Sequence, residues 1–511
     1  MKKSDVNSLI VNRAFEIDQV DIRLYGSFVE HMGRGIYGGI YEPNSKFSND
    51  EGFRQDVIEL VKELGISIVR YPGGNFLSGY NWKDGVGNKE SRHPRLDLAW
   101  HSLESNQFGL DEFMRWCEYS MVEPMMAVNL GTGNLKEALE LLEYTNVESK
   151  SFWADCRSKN GRLHPYNVRV WCLGNEMDGP WQLGHKSAED YGKLAADVAR
   201  GMRQIDKNLE LVICGSSGRG MATFGSWEDQ VLNIAYELID YISLHIYVEE
   251  SDDLSSFLSC ATELDKFIEE VISIADSVKS RKRSNKKIYL SLDEWNVWRL
   301  SEYQKRATPD TWDTAPRLIE DEYTVADAVV VGNLLISLLR HADRVKMACL
   351  AQLVNVIAPI RTEKDVPAWR QTIFYPFALT SKYGRGTVLD TKNHSNVVST
   401  QKFGLQQVID AVVIFNKSLN ELVIFCVNRD VSNFQVIEIL IEGFMLKEII
   451  QQETLNNKDA YLTNTATNPL AVVPNPIITA EIQDNKLCVN LPPISWQMIR
   501  IRLETGEFDG F

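Results

Sequence analysis

The sequence predicts an α/β fold, a (β/α)8 TIM barrel followed by a C-terminal antiparallel β-sandwich of the jelly-roll kind. Between residues 22 and 355, eight apolar runs of strand type alternate with helical stretches. Parallel strands that are buried on both faces appear as continuous apolar runs, and eight alternations are typical of this barrel. After about residue 384 the alternation stops and only short strand-like segments follow.

The eight predicted barrel strands lie at residues 22–28, 66–70, 124–129, 169–173, 210–214, 241–246, 288–292 and 346–353. Helical periodicity falls between them at 52–64, 187–205, 254–278 and 326–341. The second of these helices begins with Ser187, a good N-cap, and acidic residues follow in its first turn. A doubly wound open sheet is the alternative fold. The glycine-rich stretch at 33–39 lacks the spacing of a phosphate-binding turn, which disfavours that alternative.

The C-terminal part predicts a separate sandwich of strands. Its strand-like segments fall at 411–416, 421–428, 434–441, 460–464, 487–491 and 496–503, separated by Asn, Asp, Ser and Pro. We place the domains at 1–18, 19–384 and 385–511. The first segment lacks strand–helix alternation, and we expect it to add a strand to the sandwich.

Composition argues against several kinds of partner. The chain of 511 residues carries 54 basic and 70 acidic side chains, a net charge of −16, which disfavours nucleic acid. No apolar stretch reaches the roughly 18 residues that a membrane span needs. The N-terminus has no signal-peptide pattern, and the eight cysteines are scattered without a CxxC pair. We therefore expect a cytoplasmic protein without disulfides or a zinc site.

Polar side chains follow the predicted strands at their carboxyl ends, where barrel enzymes place their chemistry. Glu176 ends the fourth run within WCLGNE, and Glu294 follows the seventh within SLDEWN. Other candidates at strand ends are Glu30, Arg70, Asn75, Asn175, His245, Tyr247 and Gln352, with Trp100 and Trp298 in the loops. Paired carboxylates across a glycosidic bond carry out sugar hydrolysis, and a separation of about 5–5.5 Å gives the retaining reaction.

Each candidate also has a structural interpretation. A glutamate at a strand end can cap a helix or pair with an arginine, but two such glutamates on nearly opposite strands favour a catalytic pair. We interpret Arg70 as the ion-pair partner that keeps the nucleophile ionised. His31 and His245 are interpreted as packing or supporting residues. The strand-end tryptophans can stack on sugar faces, or they can simply pack.

Long motifs carry a resemblance to glycoside hydrolase family 51, the intracellular α-L-arabinofuranosidases. They are YGSFVEHMGRGIYGGIYEP at 25–43, VRYPGGNFLSGYNWKDGVG at 69–87, RLDLAW at 95–100, WCLGNEMDG at 171–179, YISLHIY at 241–247, LDEWNVW at 292–298 and AQLVNVIAP at 351–359. The resemblance runs nearly end to end. The chain departs from the family at Lys83 and Asn88, on the entrance side, which affects leaving-group preference and not the chemistry.

The resemblance implies a retaining double displacement with Glu294 as nucleophile and Glu176 as general acid/base. It implies that the furanose hydroxyls are bound by Glu30, Asn75, Asn175 and Gln352, and that Tyr247 orients the nucleophile. It also implies a homo-oligomer, a hexamer in many family members.

The expected function is the release of terminal α-L-arabinofuranosyl residues from arabinoxylan- or arabinan-derived oligosaccharides. The carboxylate pair supplies both acid and nucleophile, so no cofactor and no metal are expected. One alternative is a β-xylosidase or endoglucanase on the same barrel. Another is a non-catalytic carbohydrate-binding protein.

Overall fold

A closed barrel of eight parallel strands forms the larger part of the structure, a computed structural model that describes residues 7–504. The first to eighth barrel strands are Gly26–Phe28, Ile68–Tyr71, Glu123–Val128, Val170–Leu173, Glu210–Ile213, Tyr241–Val248, Tyr289–Val297 and Val345–Ala351. Each predicted run overlaps one of them, so the predicted barrel is confirmed. The first strand is shorter than predicted because Ile22–Tyr25 forms a 3-10 turn, capped by the side chain of Asp21.

Helices surround the barrel strands. The α-helices are Gln55–Leu64, Leu110–Ser120, Leu135–Asn146, Phe152–Lys159, Ala188–Ile205, Ser226–Ala235, Leu254–Leu258, Ala261–Lys282, Leu300–Gln304, Val325–Arg340 and Phe374–Tyr383. Ser187 is the N-cap that the sequence predicted, and its hydroxyl accepts a hydrogen bond from the backbone N–H of Asp190 at 3.1 Å. The predicted helix at 254–278 is two helices, separated by a short turn at residues 259–260. Within residues 7–504, no helix combines the length and apolar character that crossing a membrane requires.

A nine-stranded, mostly antiparallel sheet forms the second part. Its strands, from one edge to the other, are Leu446–Leu455, Ser495–Leu503, Glu421–Asn428, Ile409–Asn416, Thr387–His394, Asn7–Gln19, Gln435–Glu442, Lys486–Leu491 and Glu481–Gln483. The N-terminal strand pairs antiparallel with Thr387–His394 and parallel with Gln435–Glu442. Residues 1–6 of the predicted first segment lie outside the described residues, and the proposed domain boundaries stay predictions.

The predicted strand at 460–464 is wrong. This segment makes one isolated bridge, between Thr463 and Thr324, and the carbonyl of Ala460 accepts a hydrogen bond from the N–H of Ala326. Its backbone therefore satisfies donors at the start of helix Val325–Arg340. The first N–H groups of a helix lack partners within the helix. Residues 460–464 supply such a partner through the carbonyl of Ala460, and they form a loop in place of a sheet strand.

The nine-stranded sheet curves so that its two edges approach each other. In the edge strand Leu446–Leu455, the side-chain oxygen of Gln452 accepts hydrogen bonds from the N–H groups of Thr479 and Ala480, next to the other edge strand. The concave face encloses an apolar core that includes Leu9, Val11, Ile439, Leu487 and Ile499.

Helix Val325–Arg340 joins the two parts, because it is buried against the barrel on one side and against the sheet on the other. It is apolar nearly all round, as expected for a helix without a solvent face. Its Gly332 lies against the indole ring of Trp496 from the sheet. The side chain of Asn333 donates a hydrogen bond to Asp410 at 2.7 Å, which adds a polar link across the same interface.

We expect Gly332→Ala to destabilise the protein, because the added Cβ would overlap the indole of Trp496. Overpacking of this kind costs about 1–3 kcal/mol, more than the roughly 1 kcal/mol that alanine gains over glycine inside a helix. Urea unfolding followed by circular dichroism measures the change. Gly218→Ala is the control, since nothing lies within 4 Å of an added Cβ there. Equal stability of both variants would contradict tight packing at this interface.

Candidate active site

Two buried glutamates meet at the carboxyl ends of the fourth and seventh barrel strands. Glu176 follows the fourth strand and is 9% exposed, and Glu294 lies in the seventh and is 5% exposed. One carboxylate oxygen of each, together with a ring nitrogen of His245, lie within 4.8 Å of one another. The structure thus brings together the pair that the sequence predicted.

The Glu294 carboxylate is held by two donors. Nη1 of Arg70 donates to its Oε1 at 2.8 Å, and the hydroxyl of Tyr247 donates to its Oε2 at 2.8 Å. A guanidinium in this position favours the ionised carboxylate, and the two contacts hold both oxygens in place. This is the arrangement that a nucleophilic carboxylate requires.

Glu176 sits in a strained turn after the fourth strand. Its φ of +43° lies in the left-handed region, which non-glycine residues rarely adopt and which is common at functional sites. Trp181 Nε1 donates to Glu176 Oε2 at 2.8 Å, and His245 Nδ1 lies 2.9 Å from Oε1. Trp181 was not predicted as a contact of Glu176. The sequence places Trp181 five residues after Glu176 in the same short loop, and this closeness is the signal that could have identified the contact.

The imidazole of His245 is buried among carboxylates. Burial alone would lower its pKa, but Glu294, Asp293 and Glu176 together raise the pKa of His245 well above its usual value. This favours the protonated ring, whose Nδ1–H can donate to Glu176 and whose Nε2 lies 3.5 Å from Asp293. His245 therefore supports the site through its contact with Glu176 and through its surrounding carboxylates, in addition to packing.

A third carboxyl group, that of Glu30, lies at the mouth of the barrel. Its Oε1 accepts hydrogen bonds from the N–H of Phe76 and from Nε1 of Trp100, both at 2.9 Å, and Gln352 Nε2 lies 3.2 Å from Oε2. Burial, and next the charge of Glu294, raise the pKa of Glu30 to about 8. Glu30 is therefore a neutral acid at neutral pH.

Asn175 lies between Arg70, which contacts Glu294, and Asn75. Its side-chain oxygen accepts a hydrogen bond from Nη2 of Arg70 at 2.6 Å, and its Nδ2 points at Asn75 Oδ1 at 3.4 Å. Trp298 stacks edge-on against Tyr247, with ring centroids 5.0 Å apart. All the predicted site residues therefore lie in one connected cluster, although their roles toward a sugar stay predictions.

Three further groups support the site; His31 was interpreted from the sequence as a packing or supporting residue, and the other two were not predicted. Asp178, two residues after Glu176, accepts hydrogen bonds from the N–H and hydroxyl of Ser217, and its pKa is raised to about 6, chiefly by burial. His31 lies 2.7 Å from Glu104, behind Glu30. The third is Asp293, next to Glu294. Their partners come from distant segments, so local sequence patterns carried no signal for the pairing.

A cavity of about 220 Å³ is lined in part by Asn75. Its lining also includes Asn81, Arg95, Leu96 and Leu98, a mixture of polar and apolar side chains. Asn75 is the predicted site residue that this cavity reaches, whereas Glu176 and Glu294 do not line it.

The three atoms of Glu176, His245 and Glu294 are close enough to hold a metal ion by distance alone. The chemistry of the group opposes it. Arg70 already places a positive charge 2.8 Å from Glu294, and His245 is itself cationic, while a metal needs neutral imidazole. The donor set suits acid, base and nucleophile chemistry better than it suits a cation.

An eight-stranded barrel with two facing glutamates at its carboxyl end is the arrangement of many glycoside hydrolases. Comparison with known proteins narrows the class. The family description "Alpha-L-arabinofuranosidase 1 domain" matches residues 60–267, and "Alpha-L-arabinofuranosidase C-terminal domain" matches residues 293–495.

Individual proteins agree with these matches. An intracellular exo-α-(1→5)-L-arabinofuranosidase from Streptomyces lividans is 51% identical over 490 residues, which cover 95% of this chain and 74% of the relative. An exo-α-(1→6)-L-arabinofuranosidase from Bifidobacterium longum is 48% identical over 508 residues, 97% of each chain. A solved structure of a family 51 α-L-arabinofuranosidase from Bifidobacterium longum has a TM-score of 0.93 and 44% identity, covering 97% of this chain and 99% of that one. The chain belongs to the family 51 α-L-arabinofuranosidases.

We expect the stability of the wild type to fall with rising pH through the titration of Glu30. Its folded-state pKa of about 8 lies above the ordinary value of 4.5, so the folded state holds this proton more tightly. The contribution is complete below pH 4.5 and is lost as pH rises through 8. Glu30→Gln keeps an acceptor for Trp100 but cannot ionise, so its stability should gain about 5 kcal/mol relative to the wild type over this range.

Thermal unfolding of both proteins across this pH range measures the difference in slope. Glu189→Gln is the control, because Glu189 lies on the surface, paired with Lys193. Parallel curves for the wild type and Glu30→Gln would show that Glu30 does not hold a proton in the folded state.

Proposed function

We propose that this protein is an exo-acting hydrolase that releases terminal non-reducing α-L-arabinofuranosyl residues with retention of configuration. The observation that carries the proposal is the separation of the catalytic carboxyls. Oxygens of Glu176 and Glu294 lie within 4.8 Å. Retaining enzymes place the two groups about 5–5.5 Å apart, whereas inverting enzymes need about 6.5–9.5 Å to admit a water.

Glu294 acts as the nucleophile. It attacks the anomeric carbon and forms a glycosyl ester with the enzyme, while the bond to the leaving oxygen breaks. The Arg70 guanidinium supports the ionised form before the attack through its contact with Oε1, and the Tyr247 hydroxyl contacts Oε2. Together the two contacts hold the carboxylate in a fixed orientation toward the sugar.

Glu176 acts first as the acid and then as the base. In the first step Glu176 gives its proton to the leaving oxygen as the glycosidic bond breaks. The resulting Glu176 carboxylate accepts hydrogen bonds from Trp181 Nε1 and His245 Nδ1. The carboxylate then removes a proton from the water that hydrolyses the ester.

The remaining shell binds the sugar. Asn175 is adjacent to Glu176 and is placed for the 2-hydroxyl, a contact that strengthens in the transition state. Glu30, neutral at pH 7, can donate as well as accept a hydrogen bond, which suits a sugar hydroxyl. The other residues proposed to line the furanose site are Asn75, Gln352, Trp100 and Trp298.

The substrates we propose are short oligosaccharides derived from arabinan or arabinoxylan, hydrolysed in the cytoplasm by a homo-oligomer, a hexamer as the resemblance implies. The relative from Streptomyces lividans is named for the (1→5) linkage and that from Bifidobacterium longum for the (1→6) linkage. We take (1→5)-linked arabino-oligosaccharides as the first substrate to test.

The test of the reaction is hydrolysis of 4-nitrophenyl α-L-arabinofuranoside with proton NMR of the first-formed sugar. The wild type should release arabinose with retained configuration. Glu294→Ala should abolish turnover, and added azide should give an inverted glycosyl azide, because azide then replaces the nucleophile. Glu176→Ala should lose about 10²–10⁴-fold, with azide giving a retained product, because azide then replaces the water.

Glu189→Ala on the surface is the matched control and should keep full activity. The opposite stereochemistry of the two azide products would reverse the roles of the two glutamates. A folded wild type that hydrolyses neither this glycoside nor the 4-nitrophenyl xyloside and glucoside would favour the non-catalytic alternative.

A panel of substrates tests the specificity. We expect higher kcat/KM for (1→5)-arabinobiose than for (1→2)-, (1→3)- or (1→6)-linked analogues, and release of single arabinose units from longer chains. Measured rates on 4-nitrophenyl β-D-xyloside and on a cellulose chain separate the β-xylosidase and endoglucanase alternatives. Random internal cleavage of a polymer would contradict the exo mode of action.

A further inference from the structure

Asp293 is a buried carboxylate that the proposed reaction does not use. It is 2% exposed and directly precedes Glu294. Its Oδ1 lies 3.5 Å from His245 Nε2 and its Oδ2 lies 3.5 Å from Arg70 Nε, so it faces both cations of the site from below. A buried charge without a partner is unfavourable, so a carboxylate at this depth is explained by the two basic side chains beside it.

A β-bulge in the seventh barrel strand places Asp293 there. Ser291 pairs with Ser243, but Glu294 pairs with His245, so the seventh strand has one residue more than its neighbour over this interval. A similar shift separates Leu292 and Trp295 against the eighth strand. Successive strand residues normally point to opposite faces, and a bulge re-aims a side chain. The bulge lets two consecutive carboxylates reach one buried network.

The network that Asp293 joins contains two basic and three acidic side chains. The basic side chains are those of Arg70 and His245, and the acidic ones are those of Asp293, Glu294 and Glu176. The thiols that also face Asp293 carry no charge, because burial raises the pKa of Cys172 well above its usual value, that of Cys214 to about 12 and that of Cys349 still higher.

We propose that Asp293 is a positioning residue: its negative charge keeps His245 protonated, with Nδ1–H directed at Glu176, and increases the affinity of the Glu176–His245 pair for its protons at neutral pH. A carboxylate on one ring nitrogen fixes the orientation and charge of an imidazole whose other nitrogen contacts the reacting group. Because His245 and Glu176 are only 2.9 Å apart, they titrate as a pair. The inference rests on the proposed role of Glu176 as general acid.

Asp293→Asn tests this through the pH profile of kcat/KM. Removing the negative charge makes the site more positive, so the pair releases its proton more readily and the alkaline limb should move about one pH unit lower. Above that limb, kcat/KM for arabinobiose should fall roughly tenfold, because a sugar leaving group needs protonation. The 4-nitrophenyl glycoside should lose less, since nitrophenolate leaves without a proton.

Asp327→Asn is the matched control. Asp327 is another buried carboxylate, paired with Arg299 at 3.0 Å at the start of helix Val325–Arg340. Its loss should lower stability without moving either limb. If Asp293→Asn also lowers stability but leaves both limbs in place, Asp293 is only structural and the proposal is wrong.

A double-mutant cycle shows whether Asp293 acts through His245. His245→Gln alone should move the alkaline limb, and adding Asp293→Asn should move it little further, because coupled residues are not additive. Additive shifts would overturn the proposal.

Titration of wild-type histidines by ¹⁵N NMR needs neither turnover nor a folded Asp293 variant. The signal that His245→Gln removes should stay doubly protonated at pH values where exposed histidines have lost a proton. A neutral His245 at pH 7 would overturn the inference. An inactive wild type that keeps a protonated His245 would instead count against the proposed function, and leave the Asp293–His245 pair standing.

Discussion

The site depends on one buried guanidinium, that of Arg70. It is 1% exposed, donates to Glu294 and Asn175, and lies over the ring of Phe28 at 4.7 Å. Removing such a charge from water is costly unless every donor direction has a partner. Its partners come from the first and seventh barrel strands and from the residues that follow the fourth, so these segments converge around Arg70 at one end of the barrel.

Around that guanidinium the site divides its carboxyl groups by environment. Glu294 lies against a cation, whereas Glu30 accepts from an indole and a backbone N–H and keeps its proton near neutral pH. Groups of the same chemical type thus serve as anion and as neutral donor within one pocket. His245 supplies the opposite case, a buried base that stays charged because carboxylates surround it.

Apolar periodicity and the positions of the strand ends were enough to predict the barrel and the pair of glutamates. Eight apolar runs identified the barrel, and the position of Glu176 and Glu294 after such runs identified the pair. The prediction of a strand at 460–464 was wrong because its apolar residues resemble those of a strand, while its backbone accepts a hydrogen bond from the start of a helix. Asp293 was not predicted as a site residue, and Trp181 was not predicted as a hydrogen-bond donor to Glu176, because a bulge and a side-chain hydrogen bond within a loop leave no mark in apolar patterning.

Helix Val325–Arg340 has a consequence for how the molecule can be divided. Because both of its faces are covered, one by the barrel and one by the curved sheet, neither part presents a finished polar surface to water without the other. The family match at residues 293–495 likewise begins inside the barrel and runs through the sheet. Separation of the sheet from the barrel would therefore expose the apolar side chains of this helix to water.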